Sequence, residues 1–257
     1  MALRFASLGS GSSGNGLVVE SGRTRVMMDC GFTIADTRER LERLGLSPSD
    51  LAGIVVTHEH DDHIGGVAAF SKRHAIPVYL TRGTGMSLPE EFPAVLVRYI
   101  DPHSSFEVDA LLVDPIPVPH DAREPVQYTF SDGATRVGVV TDLGCITQHV
   151  VDRLSGCEAL VVECNHDLDM LMTGPYPVSL KQRVSGRFGH LSNADAGHLV
   201  ACLDRSRMRH LIAAHLSQQN NRPELARQAL AKAAGCSEEW VGVATQADGF
   251  GWRDAGV

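Results

Sequence analysis

The segment Gly53–Gly66 constrains this chain most, because a short β-branched run leads directly into three histidines and two aspartates. The run itself is typical of a buried strand. Side chains alternate in an extended segment, so His58 and His60 point the same way. Two imidazoles on one side can bind a divalent metal ion, and Asp62 with His63 can turn to a second ion. A polar loop that happens to be rich in histidine is the alternative, which the coincidence of strand, histidine order and trailing glycines disfavours.

The order His58-x-His60-x-Asp62-His63 resembles the signature of the metallo-β-lactamase superfamily, which comprises dinuclear metallohydrolases with a four-layer αββα fold. Three further segments resemble later motifs of that family: Val118–His120, Val139–Gly144 and Ala213–Ser217. The resemblance implies an α/β chain (an α+β sandwich) in which residues 1–257 form a single hydrolase domain.

The resemblance also implies two divalent metal ions per chain and indicates which residues would bind each ion. The implied ligands are His58, His60 and His120 for one ion, Asp62, His63 and His215 for the other, and Asp142 between them. Three histidines leave an ion with an open position, and two ions about 3.5–4 Å apart can hold a nucleophilic hydroxide between them. Zn²⁺ suits so many imidazoles best, and Mn²⁺ or Fe is also compatible with two carboxylates.

Segments outside the ligand motifs narrow the resemblance to the YycJ/WalJ branch, which is associated with DNA exonuclease activity. These segments are Gly9–Asn15, Glu163–Asp167, Leu180–Arg183, Gly189–Asn193 and His215–Asn221. The interval from His120 to Asp142 is too short to hold the extra domain of the β-CASP nucleases.

His190 and Asp62 are the two candidate catalytic residues. His190 precedes His215 by a distance that resembles the general-acid histidine of tRNA-processing and phosphodiesterase relatives. Cleavage of a phosphodiester requires a proton for the leaving alkoxide, and imidazole titrates in the right range. A buried structural histidine is the alternative interpretation.

Four residues close to these motifs are candidates for substrate contact: Asn165, His166, Ser192 and Asn220. His166, with Glu163 and Asn165, could line the pocket or orient a metal ligand, as carboxylates next to metal ligands commonly do. Ser192 could cap a helix whose N-terminus faces a phosphate. Asn220 could donate a hydrogen bond to a phosphate, although ordinary helix capping is the preferred explanation.

The coarse pattern along the chain predicts strands near Thr24–Met28 and Ala159–Glu163 and helices near Val67–His74 and Pro223–Ala234. Residues 165–187 are expected to be rich in loops. The spacing Gly9-x-Gly11-x-x-Gly14 matches a dinucleotide fingerprint, but a strand follows where that fingerprint requires a helix. We therefore expect a tight glycine loop near the metal site.

The composition of the chain indicates which classes of partner are compatible with it. The net charge of −8 counts against a nucleic-acid ligand, although bound cations would offset the carboxylates that hold them. Basic residues cluster locally at Lys181, Arg183, Arg187, Arg205, Arg207 and Arg209, although a solvated helix face would look similar. If DNA is the substrate, the first three should lie beside the metals. The apolar runs are too short for a membrane span, and the six cysteines lack C-x-x-C spacing, so we expect a cytoplasmic protein without a membrane partner.

Two functions follow from these features. The first is a dinuclear metal-dependent phosphodiesterase, a 5′→3′ exodeoxyribonuclease on double-stranded DNA in which the metal-bridging hydroxide attacks phosphorus. The alternative is a small-molecule metallohydrolase of thioesters, lactones or cyclic phosphodiesters. A basic strip leading to an open groove would favour the nuclease, and a closed apolar pocket would favour the small-molecule enzyme.

Overall fold

The computed structural model describes residues 2–257, and β-strands occur from the start to the end of this range. The strands are β1 Leu3–Gly9, β2 Gly16–Ser21, β3 Thr24–Met28, β4 Gly53–Val55, β5 Val78–Leu80, β6 Val97–Tyr99, β7 Phe106–Val108, β8 Leu111–Pro117, β9 Val126–Ser131, β10 Arg136–Val140, β11 Ala159–Glu163, β12 His210–Ala214, β13 Gly242–Val243 and β14 Phe250–Asp254. Helices connect or follow many of these strands. The helices are α1 Ile34–Arg43, α2 Asp61–Ile64, α3 Val67–His74, α4 Arg82–Gly85, α5 Gln148–Leu154, α6 Leu168–Thr173, α7 Val178–Val184, α8 Asn193–Cys202 and α9 Pro223–Ala234, with 3₁₀ turns at Pro48–Asp50, Ala94–Leu96 and Glu238–Trp240.

The strands form two mixed sheets. Within the described residues, the first sheet has the order β14-β1-β2-β3-β4-β5-β6 and the second the order β13-β12-β11-β10-β9-β8-β7. Each sheet is antiparallel in one half, whereas β3 to β6 and β10 to β13 run parallel. Since parallel strands end at the same edge, residues that follow them collect at one side of each sheet.

Apolar side chains fill three layers between and outside the sheets. Phe5, Tyr128 and Phe130 belong to the cluster between the two sheets. A second cluster joins the outer face of the first sheet to α1 and α3, and a third joins the second sheet to α5, α8 and α9. The order of layers is therefore helix, sheet, sheet, helix, which confirms the expected αββα fold.

The sequence predicts several elements with their observed bounds, namely β3, β11, α3 and α9. The expectation of a loop-rich stretch over residues 165–187 is wrong in part, because α6 and α7 lie within it. Both helices are too short to show a helical period. Asp167 caps α6 by accepting a hydrogen bond from the Met170 amide, and Pro177 immediately precedes α7. Along residues 2–257, each helix is too short or too polar to cross a bilayer.

Candidate metal centre

The candidate site lies where strands of both sheets end. From the first sheet, Asp29 follows β3, and the His58–His63 segment follows β4. From the second sheet, His120, Asp142 and His215 follow β8, β10 and β12, respectively. The two sheets therefore bring ligand-type side chains together from distant parts of the sequence.

Three histidine nitrogens converge in a first group. The Nε2 atoms of His58 and His120 lie 3.0 and 3.3 Å from Nδ1 of His60. His120 donates through Nδ1 to the Gly189 carbonyl at 3.0 Å, so its Nε2 carries a lone pair in the neutral ring. Burial holds the pKa of His58 well below its usual value, which keeps this ring neutral as a metal ligand requires.

A second group contains Asp62, His63 and His215. The carboxylate Oδ2 of Asp62 lies 3.2 Å from Nε2 of His215 and 3.4 Å from Nε2 of His63. Nδ1 of His63 donates to Asp29 at 2.8 Å, and Nδ1 of His215 donates to Glu163 at 3.1 Å. Both rings therefore turn the opposite nitrogen, Nε2, toward Asp62.

The buried carboxylate of Asp142 lies between the two groups. Its Oδ2 has no hydrogen-bond partner, although Nε2 of His63 is 3.0 Å away. Burial lowers the pKa of His63, but Asp142, Asp29 and Asp62 outweigh burial and raise this pKa well above its usual value. Because Nδ1 donates to Asp29, the second ring proton sits on Nε2, and a cation bound between Nε2 and the carboxylate oxygen would replace it. Oδ1 of Asp142 also lies 3.8 Å from Nε2 of His120. The donor set therefore fits divalent metal ions held by both groups.

The charges of these residues support the same conclusion. Burial raises the pKa of Asp142, but His215 and His63 outweigh it and hold this pKa well below the usual range. Burial lowers the pKa of His215, but Asp142, Asp62 and Glu163 raise it to about 10. So many acidic and imidazole groups in one buried site indicate a strong field for a cation.

Asp29 holds a candidate ligand of the second group directly and one of the first group through Thr57, although it was not among the residues singled out from the sequence. Besides accepting from His63, it accepts hydrogen bonds from the Thr57 amide at 2.9 Å and the Thr57 hydroxyl at 3.0 Å. The Thr57 oxygen in turn lies 2.9 Å from Nδ1 of His58. The position of Asp29 at a strand end, like the other strand-end residues, was the signal available in the sequence.

Glu163 has the corresponding position in the second sheet. Its Oε2 accepts hydrogen bonds from the Leu143 and Leu191 amides, both at 3.0 Å. Its Oε1 lies 2.8 Å from Nδ1 of His190 and 3.1 Å from Nδ1 of His215. Glu163 is also within ligand distance of Asp142, but its oxygens are already occupied by these donors. It therefore serves to orient the two histidines.

The glycine loop lies against the second group, as expected. Gly11 and Gly14 have positive φ angles of 146° and 139°, which glycine adopts readily. The loop places Asn15 so that its Nδ2 donates to Asp62 Oδ2 at 3.1 Å. Ser10 accepts a hydrogen bond from the His215 amide at 2.9 Å. The loop thus orients a candidate metal ligand from each sheet.

A cleft of about 400 Å³ opens above the ligand residues. His190 lines this cleft together with residues of both groups. It bonds to Glu163 through Nδ1, so its Nε2 takes no part in that hydrogen bond. Burial lowers the pKa of His190, but Glu163 outweighs this effect and raises it above the usual value. Further lining residues that the sequence analysis did not identify as pocket residues are Ser12, Asp61, Asp121, Tyr176, Leu180 and Val184.

The basic residues and the candidates for substrate contact lie in different places. Arg183 lines the cleft and pairs with Asp121 at 2.6 Å, whereas Lys181 donates to the Met172 carbonyl. Arg207 pairs with Glu158 near the starts of β11 and β12, at the opposite edge of the sheet. The four candidates do not line the cleft, and their part in substrate binding stays a prediction; they are Asn165, His166, Ser192 and Asn220.

These four residues pack behind the cleft wall. Asn165 donates through Nδ2 to the His215 carbonyl at 3.2 Å, and Ser192 caps α8 by accepting from the Asp195 amide. His166 forms a parallel bridge with Ser192 and is buried. Asn220 is buried too, and its amide donates to the Ser217 hydroxyl at 3.2 Å. Their contacts position the segments that carry His190 and His215.

Comparisons with known proteins agree with this geometry. The family model of the Beta-lactamase superfamily domain matches residues 24–216. Exodeoxyribonuclease YycJ of Bacillus anthracis is 32% identical over 240 residues, which cover 90% of this chain and 89% of that protein. Exodeoxyribonuclease WalJ of Streptococcus pneumoniae serotype 2 is 28% identical over 249 residues, which cover 95% of this chain and 92% of that protein. The fold of YhfI from Bacillus subtilis, a metallo-β-lactamase fold protein, superposes with a TM-score of 0.76 at 15% identity over 99% of this chain and 100% of that one.

The seven-residue donor set predicts that the reconstituted protein binds two divalent ions per chain. Replacing Asp142 with alanine removes the carboxylate between the groups, so we expect Asp142→Ala to retain fewer ions after dialysis. Elemental analysis of protein reconstituted with Zn²⁺ measures this ratio. Asp152→Ala, which changes an exposed side chain of α5, should still retain two ions. A ratio of one in the wild type, or no change in Asp142→Ala, would contradict the dinuclear assignment.

Asp29 offers a sharper test of how the ligands are oriented. Asp29→Asn keeps the size of the side chain, and asparagine tolerates the positive φ of 60°. Its amide cannot replace both acceptor oxygens, so we expect metal affinity to fall about 10–100-fold with the fold preserved. Competition with a chromogenic chelator measures the affinity. Asp109→Asn, at an exposed position with φ 49°, is the matched control. Equal affinities for both variants would show that Asp29 does not orient the ligands.

Proposed function

The chain belongs to the metallo-β-lactamase superfamily, and on that premise we propose that it is a 5′→3′ exodeoxyribonuclease acting on double-stranded DNA, with residues 1–257 as its single hydrolase domain. Membership and the His/Asp cluster identify a metal-dependent hydrolase. One observation carries the step to phosphodiester cleavage: His190, fixed by Glu163, faces the same cleft as the metal ligands. Relatives described as exodeoxyribonucleases support DNA as the substrate, and such a substrate agrees with the expected cytoplasmic location.

We assign two divalent ions to the seven predicted ligands. His58, His60 and His120 would hold one ion, Asp62, His63 and His215 the other, and Asp142 would contact both. When bound, such ions polarise a phosphoryl group and lower the pKa of water. Five imidazoles favour Zn²⁺, and the two carboxylates are also compatible with Mn²⁺ or Fe.

The residues around these ligands carry out the proton transfers. His190 donates through Nδ1 to Glu163, which leaves Nε2 to protonate the departing oxygen of the substrate. Asp62 lines the cleft with its side chain 22% exposed, so its carboxylate can accept a hydrogen bond from the attacking water. Asn15 fixes that carboxylate from the other side. A general acid and an acceptor thus lie on one cleft.

The cleft wall matches the electrostatic needs of a DNA strand in part. Asp61, Asp62 and Asp121 make the lining acidic, but two bound cations would offset that charge. Arg183 is the cationic side chain among the lining residues and is 61% exposed. It can exchange the Asp121 carboxylate for a substrate phosphate without entering a buried environment.

The proposed function is tested with the metal-loaded protein on end-labelled double-stranded DNA, single-stranded DNA, RNA and bis-p-nitrophenyl phosphate. We expect mononucleotide release from the 5′ end of the duplex. Hydrolysis of the small diester without cleavage of any polynucleotide would favour the small-molecule enzyme instead. The apolar lining by Tyr176, Leu180 and Val184 would then be part of its pocket.

The role of His190 predicts a dependence on the leaving group. His190→Ala should slow DNA cleavage by about 10²–10⁴, the usual contribution of general acid–base catalysis. The loss should be much smaller on bis-p-nitrophenyl phosphate, because p-nitrophenolate leaves without a proton. Single-turnover rates on both substrates measure the difference, and metal content and circular dichroism serve as controls. Equal losses on both substrates would assign His190 a structural role.

The role of Arg183 predicts a change in salt dependence. Each lost phosphate contact lowers the slope of log affinity against log salt by about one, so Arg183→Gln should bind DNA less tightly and with a flatter slope. Arg207→Gln is the matched control, since Arg207 is also exposed and paired with a carboxylate but lies at the opposite sheet edge. Fluorescence anisotropy across a salt series measures both. Identical slopes for the two variants would exclude Arg183 from phosphate binding.

A further inference from the structure

Phe188 is a large apolar side chain with 61% of its surface exposed. Its carbonyl accepts a hydrogen bond from the Asp121 amide at 3.0 Å. Gly189 and His190, which follow it directly, line the cleft. No core cluster of the described residues includes Phe188, so packing does not account for the phenyl ring.

The backbone beneath Phe188 is held tightly. A Cβ atom on Gly144 would lie 2.3 Å from the Arg187 carbonyl oxygen and 2.5 Å from the Phe188 Cα. A Cβ atom on Gly189 would lie 2.2 Å from the carbonyl oxygens of Arg183 and Val184. Both glycines therefore allow a contact that any other residue would obstruct. Gly144 follows Asp142 by two positions, so the Phe188 backbone packs against the segment that carries this candidate ligand.

The neighbours of Phe188 indicate what could cover the ring. Arg187 is exposed and directly precedes it in sequence, and Arg183, in the last turn of α7, lines the cleft. An aromatic ring flanked by arginines is the combination by which proteins bind nucleic-acid strands, because bases stack on the ring and phosphates pair with the cations. A lipid or acyl chain would instead require a continuous apolar groove. The aspartates of the cleft lining make such a groove unsuitable.

We propose that Phe188 stacks on a base of the DNA strand whose end occupies the metal centre. This inference rests on the proposed nuclease function and extends it, since the stack would grip the strand by a base without reading its sequence. Stacking tolerates every base because each has a π-face. The enzyme would then place successive nucleotides at the metals without sequence preference.

The test pairs Phe188→Ala with abasic substrates. Duplexes carry a single abasic nucleotide at successive positions from the cleaved end, and KM and kcat are measured for the metal-loaded wild type and the variant. Loss of one base–aromatic stack weakens binding by about 5-fold to 150-fold. We expect Phe188→Ala to raise KM for intact DNA by this factor, with hydrolysis of bis-p-nitrophenyl phosphate unchanged. Phe188→Trp should restore binding. Trp240→Ala, an exposed aromatic just before β13 at the opposite sheet edge, should leave KM unchanged.

The abasic series identifies the stacked base. At one position, an abasic nucleotide should raise KM in the wild type but cause no further increase in Phe188→Ala. An unchanged KM for intact DNA in Phe188→Ala, or an abasic penalty that persists in this variant at every position, would overturn the stacking proposal alone. A wild type that hydrolyses bis-p-nitrophenyl phosphate but none of the duplexes would overturn both the nuclease function and the stack.

Discussion

The buried Asp142 carboxylate is the contact on which the rest of the site depends. It lies at the end of β10, in the middle of the second sheet, and approaches histidines that arrive from both sheets. A carboxylate so deeply buried is costly unless positive charge compensates it. Protonated His63 and His215 supply that charge, and the proposed divalent ions would supply it when bound. Each sheet then adds one further carboxylate, Asp29 or Glu163, which fixes ring orientation through Nδ1.

Much of this arrangement could be predicted from the sequence, since the His58–His63 segment alone indicates a metal site and the fold that carries it. The ends of β10 and β12 were also recognisable as candidate ligand positions. Asp29 was harder to find, because its role depends on β3 pairing with β4 and on a left-handed backbone. His215 adopts the same unusual conformation, with φ 55°. Such a conformation costs about 1–3 kcal/mol and leaves no mark in local sequence patterns.

The cleft wall shows the other limit of sequence reasoning. Tyr176, Leu180 and Val184 line the cleft from residues 165–187, where two prolines interrupt every periodic pattern. Basic residues that look equivalent in sequence also separate in space, since Arg183 reaches the cleft and Arg207 lies at the far edge. They separate because one lies near the ends and the other near the starts of the parallel strands. The positions of charged residues in the sequence do not reveal the direction of those strands.

The division of the ligands between the two sheets has a consequence for the stability of the whole molecule. Each proposed ion draws ligands from both sheets, so ion binding and the closure of the inter-sheet core are thermodynamically linked. Free metal at 100 times its dissociation constant would stabilise the folded state by about 2.7 kcal/mol for each ion. Chelation would remove that contribution and loosen the sandwich along the very edge where the strands end. Metal availability would thus act on the lifetime of the protein as well as on its chemistry.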